Sequence, residues 1–170
     1  MSSCSLQSFY FFLVFSIASL HSVSAHATDS ERESLRGLPG VAVTVEDIAT
    51  DIQTDGLSME EIGIAVELIL RSNGIRVLSQ PERFETEASP YLYITVLGFK
   101  DGSVYSLSIE VQLRQIVSLT SGTNHKMFVS TWSRNSLLSV GANTLHDVIS
   151  GSIEPKAKDF ANDFLTVNPR

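Results

Sequence analysis

His146 stands beside Asp147, and a histidine paired with a carboxylate is the base and orienting group of many hydrolases. A hydrolase built on these two residues, or on the acidic loop described next, is the enzymatic reading of this chain. The spacing argues against it. Neighbours on a helix point about 100° apart, so the two side chains are not expected to face each other. Both read as exposed first-turn residues, with Asp147 complementing the helix dipole. No nucleophile motif accompanies them. His125 falls at a loop–strand junction and reads as solvated. Glu82, Glu85 and Glu87 form the densest acidic cluster outside the N-terminal polar stretch, a solvated loop by composition with at most nonspecific affinity for hard cations. No zinc-helix, EF-hand, dinucleotide, phosphate-loop or nucleophile-elbow pattern occurs. Accordingly no catalytic residue, metal or cofactor is assigned.

Aromatic residues carry the stronger signal. Tyr91, Tyr93, Leu97 and Phe99 alternate along one strand, on the side opposite its expected core face. Either a further layer of this chain covers them, or they form an exposed patch that binds a protein partner. The formal charge of −7 lies wholly after residue 28. An acidic surface is poor for nucleic acid and for anionic headgroups, so nucleic acid is excluded and membrane contact is peripheral or none.

The N-terminus indicates the compartment. Phe9–Leu20 is an apolar run of secretory length, shorter than the roughly 20 residues of a membrane span. Ala25-His26-Ala27 fits a cleavage site, and Val23-Ser24-Ala25 is a second one. Residues 1–27 are therefore expected to be a signal peptide, with an uncleaved anchor as the alternative. Cys4, the sole cysteine, precedes the apolar run, so it is no lipidation signal and would leave with the leader. There is no N-x-S/T sequon, which favours a bacterial envelope over a eukaryotic secretory route. The protein is expected to be exported, periplasmic or secreted.

These residues need a scaffold, and the pattern supplies one. Residues 28–37 read as a mobile polar tail and 38–170 as a single domain. Val41–Val45 reads as a buried strand. Ser58 and Glu61 form a capping-box signature, and Met59, Ile62, Val66, Ile69 and Leu70 a buried stripe; Asn73-Gly74 ends the helix in a Schellman turn. Arg76–Ser79 reads as a second strand, completing a β-α-β unit, and Gln80–Pro90 as a loop. Asp101-Gly102 reads as a two-residue hairpin turn between Tyr91–Phe99 and Val104–Leu119, which would set Val96 against Leu107, Ile94 against Ile109 and Leu92 against Val111. After a turn over Ser118–Asn124, Lys126–Arg134 is the next strand, with either Phe128 and Trp132 or Met127 and Val129 facing inward. Asn135–Ala142 reads as a loop. A last helix capped by Asn143 meets Pro155, so a kink or two helices are expected there. The fold class is α+β: a two-layer sandwich in which a β-α-β unit is followed by an antiparallel three-stranded meander and a kinked C-terminal helix.

On Leu38–Val45, Leu68–Val77 and the closing segment Asp163–Pro169, the chain resembles small exported bacterial envelope proteins of unassigned function. Its element order is similar to the N-terminal domain of the Tol-system propeller protein and to the curli secretion lipoprotein, although this chain has no lipobox. The resemblance implies an accessory envelope domain and carries over no site residue. The resulting expectation is a non-enzymatic envelope interaction module that binds an envelope protein through the outer face or edge of its sheet. The alternative is a small-ligand binder or hydrolase with a pocket between helices and sheet.

Overall fold

The computed structural model describes residues 28–120 and 125–169. The expected signal peptide, both cleavage sites and Cys4 lie outside the described residues, as does the centre of the turn before β4. No helix among the described residues is long and apolar enough to cross a membrane.

The architecture is α+β. One mixed sheet of four strands, in the order β1-β2-β3-β4, carries two principal helices on one face. The strands are β1 (Ala42–Val45), β2 (Tyr91–Asp101), β3 (Val104–Ser118) and β4 (Lys126–Gly141). β1 runs parallel to β2, and the other pairs are antiparallel. The helices are α1 (Asp29–Glu33), α2 (Thr50–Thr54), α3 (Met59–Ser72), α4 (Gln80–Glu85) and α5 (Leu145–Val167).

α3 follows from its local signals. Ser58 Oγ accepts the Glu61 N–H at its start, and Gly74 takes φ +70° at its end. The Ile75 N–H bonds the Leu70 carbonyl at 2.9 Å and the Gly74 N–H bonds the Arg71 carbonyl at 2.8 Å, the two bonds of a Schellman ending. Ile62, Val66 and Leu70 are buried.

The β-α-β unit closes differently from expectation. Arg76–Ser79 is not a strand: only Val77 bridges Val41. Ser79 and Glu82 instead form a reciprocal capping box, Pro81 sits in the first turn where its missing N–H costs nothing, and α4 replaces the expected loop. The chain then returns as β2, the true parallel partner of β1.

The meander keeps its faces and shifts its register. Asp101 pairs with Val104, so Gly102 and Ser103 form the turn, with Gly102 at φ +58° in the first central position that a type II′ turn reserves for glycine. Val96 therefore faces Ile109, Ile94 faces Val111 and Leu92 faces Leu113, two residues from expectation. Because side chains alternate with period two, this shift preserves every inside–outside assignment. Leu107, Ile109, Val111 and Leu113 are all buried.

β4 continues to Gly141, through the stretch expected to be a loop, because Leu138 and Val140 pair with Leu107 and Tyr105. A bulge opposite Leu113 and Arg114 leaves Thr131 unpaired. It switches the inward parity, so Trp132 points to the core while Phe128 lies on the outer face. Trp132 packs edge-on against Phe160 of α5, with ring centroids 5.2 Å apart. α5 is one 23-residue helix that passes through Pro155, held by buried Ile149, Ile153, Ala157 and Phe160. Its cap position is Thr144 rather than Asn143.

Residues 28–37, expected to be a mobile polar tail, carry α1 and pack on the domain. Thr28 and Glu31 form a capping box, and Leu35 is fully buried. Arg32 bonds Asp163 at 3.2 Å, and Asn168 accepts the Gly37 N–H at 2.7 Å while donating to the Leu35 carbonyl at 2.9 Å.

Candidate functional site

β2 directs Tyr91, Tyr93, Leu97 and Phe99 to the face opposite α3 and α5. The structure divides the four. Tyr91 and Tyr93 are half-buried by this chain's own residues. The Arg83 guanidinium of α4 lies 4.2 Å from the Tyr91 ring centroid, and the Arg114 guanidinium 4.1 Å from that of Tyr93. Phe128 meets Tyr91 edge-on at 6.0 Å. Burial comes first, and the Glu46 carboxylate facing its hydroxyl second, in raising the Tyr93 pKa. These two tyrosines are thus partly covered by side chains of α4, β3 and the start of β4.

Leu97 and Phe99 remain open, at 60% and 71% exposure. A third residue joins them: Leu137 of β4, at 85% exposure. Leu97, Ser108 and Leu137 form one cross-strand row, and Phe99, Ser106 and Ser139 the next. Small serines on the central strand between larger apolar groups leave a shallow trough of about 600 Å³. Strand spacing puts its walls roughly 10 Å apart. The walls are apolar, the floor offers hydroxyls, and no charged side chain lines it. Beside the trough runs the outer edge of β4, with which no strand among the described residues pairs. From Asn135 to Gly141 this edge carries no charge and no proline, the usual protections of an open edge. Leu137 lies in Asn135–Ala142, which by composition reads as a loop and so places no side chain on either face. The absence of proline and of any glycine before Gly141 was the available signal.

The other candidate residues do not converge. Glu82 serves the α4 cap, and the Ser79 N–H, the Ser79 hydroxyl and then Arg76 hold its carboxyl down at about 2. Glu87 pairs with Lys126 at 3.4 Å. Glu85 ends α4. No group of three or more His, Cys, Asp or Glu among the described residues is placed to hold a metal. The His125 carbonyl accepts the Leu119 N–H at 3.0 Å. His146 Nδ1 approaches Asp147 Oδ1 to 3.4 Å, closer than helical divergence suggested, and its Nε2 lies 3.8 Å from Glu61. Among the described residues no hydroxyl hydrogen-bonds His146.

One buried group was not anticipated. Lys156 Nζ donates to Ser136 Oγ at 3.0 Å, and to Ser152 Oγ and the Ser152 carbonyl at 2.9 Å each. Serine with lysine can serve as nucleophile and base, but all three ammonium protons are donated here, and neither the trough nor the cleft described below reaches this group.

Compared with models of known protein families and with curated proteins, the chain matches none.

Proposed function

We propose that the protein is a non-enzymatic interaction module, exported to the bacterial envelope, that binds a protein partner through the trough and the adjoining β4 edge. The observation that carries this reading is the trio Leu97, Phe99 and Leu137, exposed together around one trough. Exposed apolar groups clustered at a sheet edge suit an extended partner segment, which adds a strand to β4 and lays alternate side chains into the trough. The secretory features of residues 1–27 and the resemblance to envelope proteins support the compartment. The tyrosines Tyr91 and Tyr93 are a secondary rim under this reading, since their own chain already covers them in part.

The test is capture from crosslinked envelope with tagged protein, comparing wild type with the double variant Phe99→Ser, Leu137→Ser. The variant should lose the specifically captured partner while its melting temperature stays within about 2 °C of wild type. Central apolar anchors commonly carry about 2 kcal/mol or more each, roughly a thirtyfold loss of affinity. Intact capture by the stable variant would reject this face.

A further inference from the structure

On the opposite side of the sheet, α3 and α5 part at their N-terminal halves and leave a cleft of about 370 Å³. Its floor is apolar, made by Leu57, Ile62, Val66 and Ile153, all buried. Its rim is polar and follows helical spacing. α5 presents His146, Ser150 and Glu154 at i, i+4 and i+8, one above another on one face. α3 presents Ser58, Glu61 and Ala65 on the facing side.

Charge decides what this cleft can hold. Glu61 and Glu154 line it, and no lysine or arginine does. Lys158 pairs with Glu154 at 3.3 Å from one turn beyond the lining, and Asp147 flanks His146 at 3.4 Å. Glu61 is not consumed by its own helix. The capping boxes of α1 and α4 form both reciprocal bonds, whereas at α3 only Ser58 accepts from the Glu61 N–H, and the Glu61 carboxylate turns toward His146 instead. An apolar floor beneath carboxylates rejects anions and gives no reason to hold a bare hydrated ion.

We propose that the cleft between α3 and α5 binds a small organic cation, an amine on an apolar body about the size of one aromatic ring. The body covers Ile62, Val66 and Ile153. The ammonium lies between Glu61 and Glu154, with the hydroxyls of Ser58 and Ser150 as further acceptors. This site is independent of the outer-face trough.

The experiment uses 2-phenylethylammonium as probe, with 2-phenylethanol and phenylacetate as neutral and anionic counterparts of the same shape, titrated into the protein and followed by amide chemical shifts. Saturable binding is expected in the order ammonium, alcohol, carboxylate, with shifts centred on Ala65 and Ser150. The double variant Glu61→Gln, Glu154→Gln should weaken the ammonium at least tenfold and leave the alcohol nearly unchanged. Ala65→Phe, at a solvent-exposed helix position, should fill the cleft and abolish both while preserving the melting temperature. The proposal fails if the ammonium shows no saturable binding at millimolar concentration. It also fails if phenylacetate binds as tightly, or if binding survives Ala65→Phe.

Discussion

Asp163 holds three elements at once, and its removal should be costly. Its Oδ2 accepts from Trp132 Nε1 at 2.9 Å and from an Arg134 terminal nitrogen at 3.1 Å, and its Oδ1 from Arg32 Nε at 3.2 Å. The Arg134 and Asp163 side chains are only 8% and 13% exposed. Asp163→Ala would strand the Arg134 guanidinium over the Trp132 ring, where its Nε already has no hydrogen-bond partner. Breaking one side of a buried ion pair costs about 3–5 kcal/mol, and an orphaned buried N–H about 1–3 kcal/mol. Some water reaches Asp163, so the lower end applies and a loss of about 3 kcal/mol is expected. For a domain of this size that is a fall of roughly 6–12 °C in melting temperature. Urea melts of wild type and Asp163→Ala measure it. Adding Arg134→Met should recover about 1 kcal/mol or more, because no charge is then left unpaired. A loss below about 1 kcal/mol for Asp163→Ala, or strict additivity in the double variant, would refute the reasoning.

Two further outcomes follow from buried or capped charge. Burial lowers the Lys156 pKa, chiefly by desolvation, so between that lowered value and the unfolded value of 10.5 the unfolded chain binds more protons and stability rises with pH. Lys156→Met should remove this rise and be neutral or slightly stabilising at neutral pH, since Ser136 and Ser152 already bond each other at 2.9 Å; a loss above about 2 kcal/mol in urea melts would contradict this. The depressed Glu82 carboxyl contributes stability that is fully present above its ordinary value of 4.5 and is lost as pH falls toward about 2. Amide exchange in α4 should therefore differ between wild type and Glu82→Gln at pH 7 and converge near pH 2, and a difference that persisted there would exclude the cap as its source.

The bounds of α3 are legible because its signals are local, a hydroxyl cap, a 3.6-residue stripe and Asn73-Gly74; of the expected capping box, only the Glu61 N–H to Ser58 Oγ half forms. α4 carries the same cap signature in Ser79 and Glu82, but the acidic composition and Pro81 pointed to a loop. Asp101-Gly102 reads as the turn centre, which sets the hairpin two residues from its observed register, and its faces still agree because parity survives a two-residue shift. The end of β4 was missed for want of clean alternation: Leu137 and Leu138 are adjacent, one out and one in. The same stretch carries Leu137, the β4 wall of the trough. Leu97 and Phe99 could be placed on the outer face by counting. That Tyr91 is shielded could not, because its cover comes from Arg83 and Phe128, on elements whose position depends on the whole fold; Tyr93 is covered from within the hairpin, by Arg114 of β3. The Arg32–Asp163 and Gly37–Asn168 bonds each join residues 131 apart in sequence, beyond any local pattern.

The packing of α1 also fixes a direction. Ser34 Oγ donates to the Thr131 carbonyl at 3.3 Å, and Asn168 grips Gly37 and Leu35, so both ends of the described chain sit beside the β4 bulge. Leu137 lies six residues further along the same strand, about 20 Å away at 3.3 Å per residue. Thr28 therefore lies toward one end of the strands and the trough toward the other, opening perpendicular to them on the outer sheet face. A surface holding this protein at Thr28 would keep Leu97, Phe99 and Leu137 about one strand length clear of it, with their side chains turned sideways rather than toward it. Immobilisation through either end of the described chain leaves that face open to solvent.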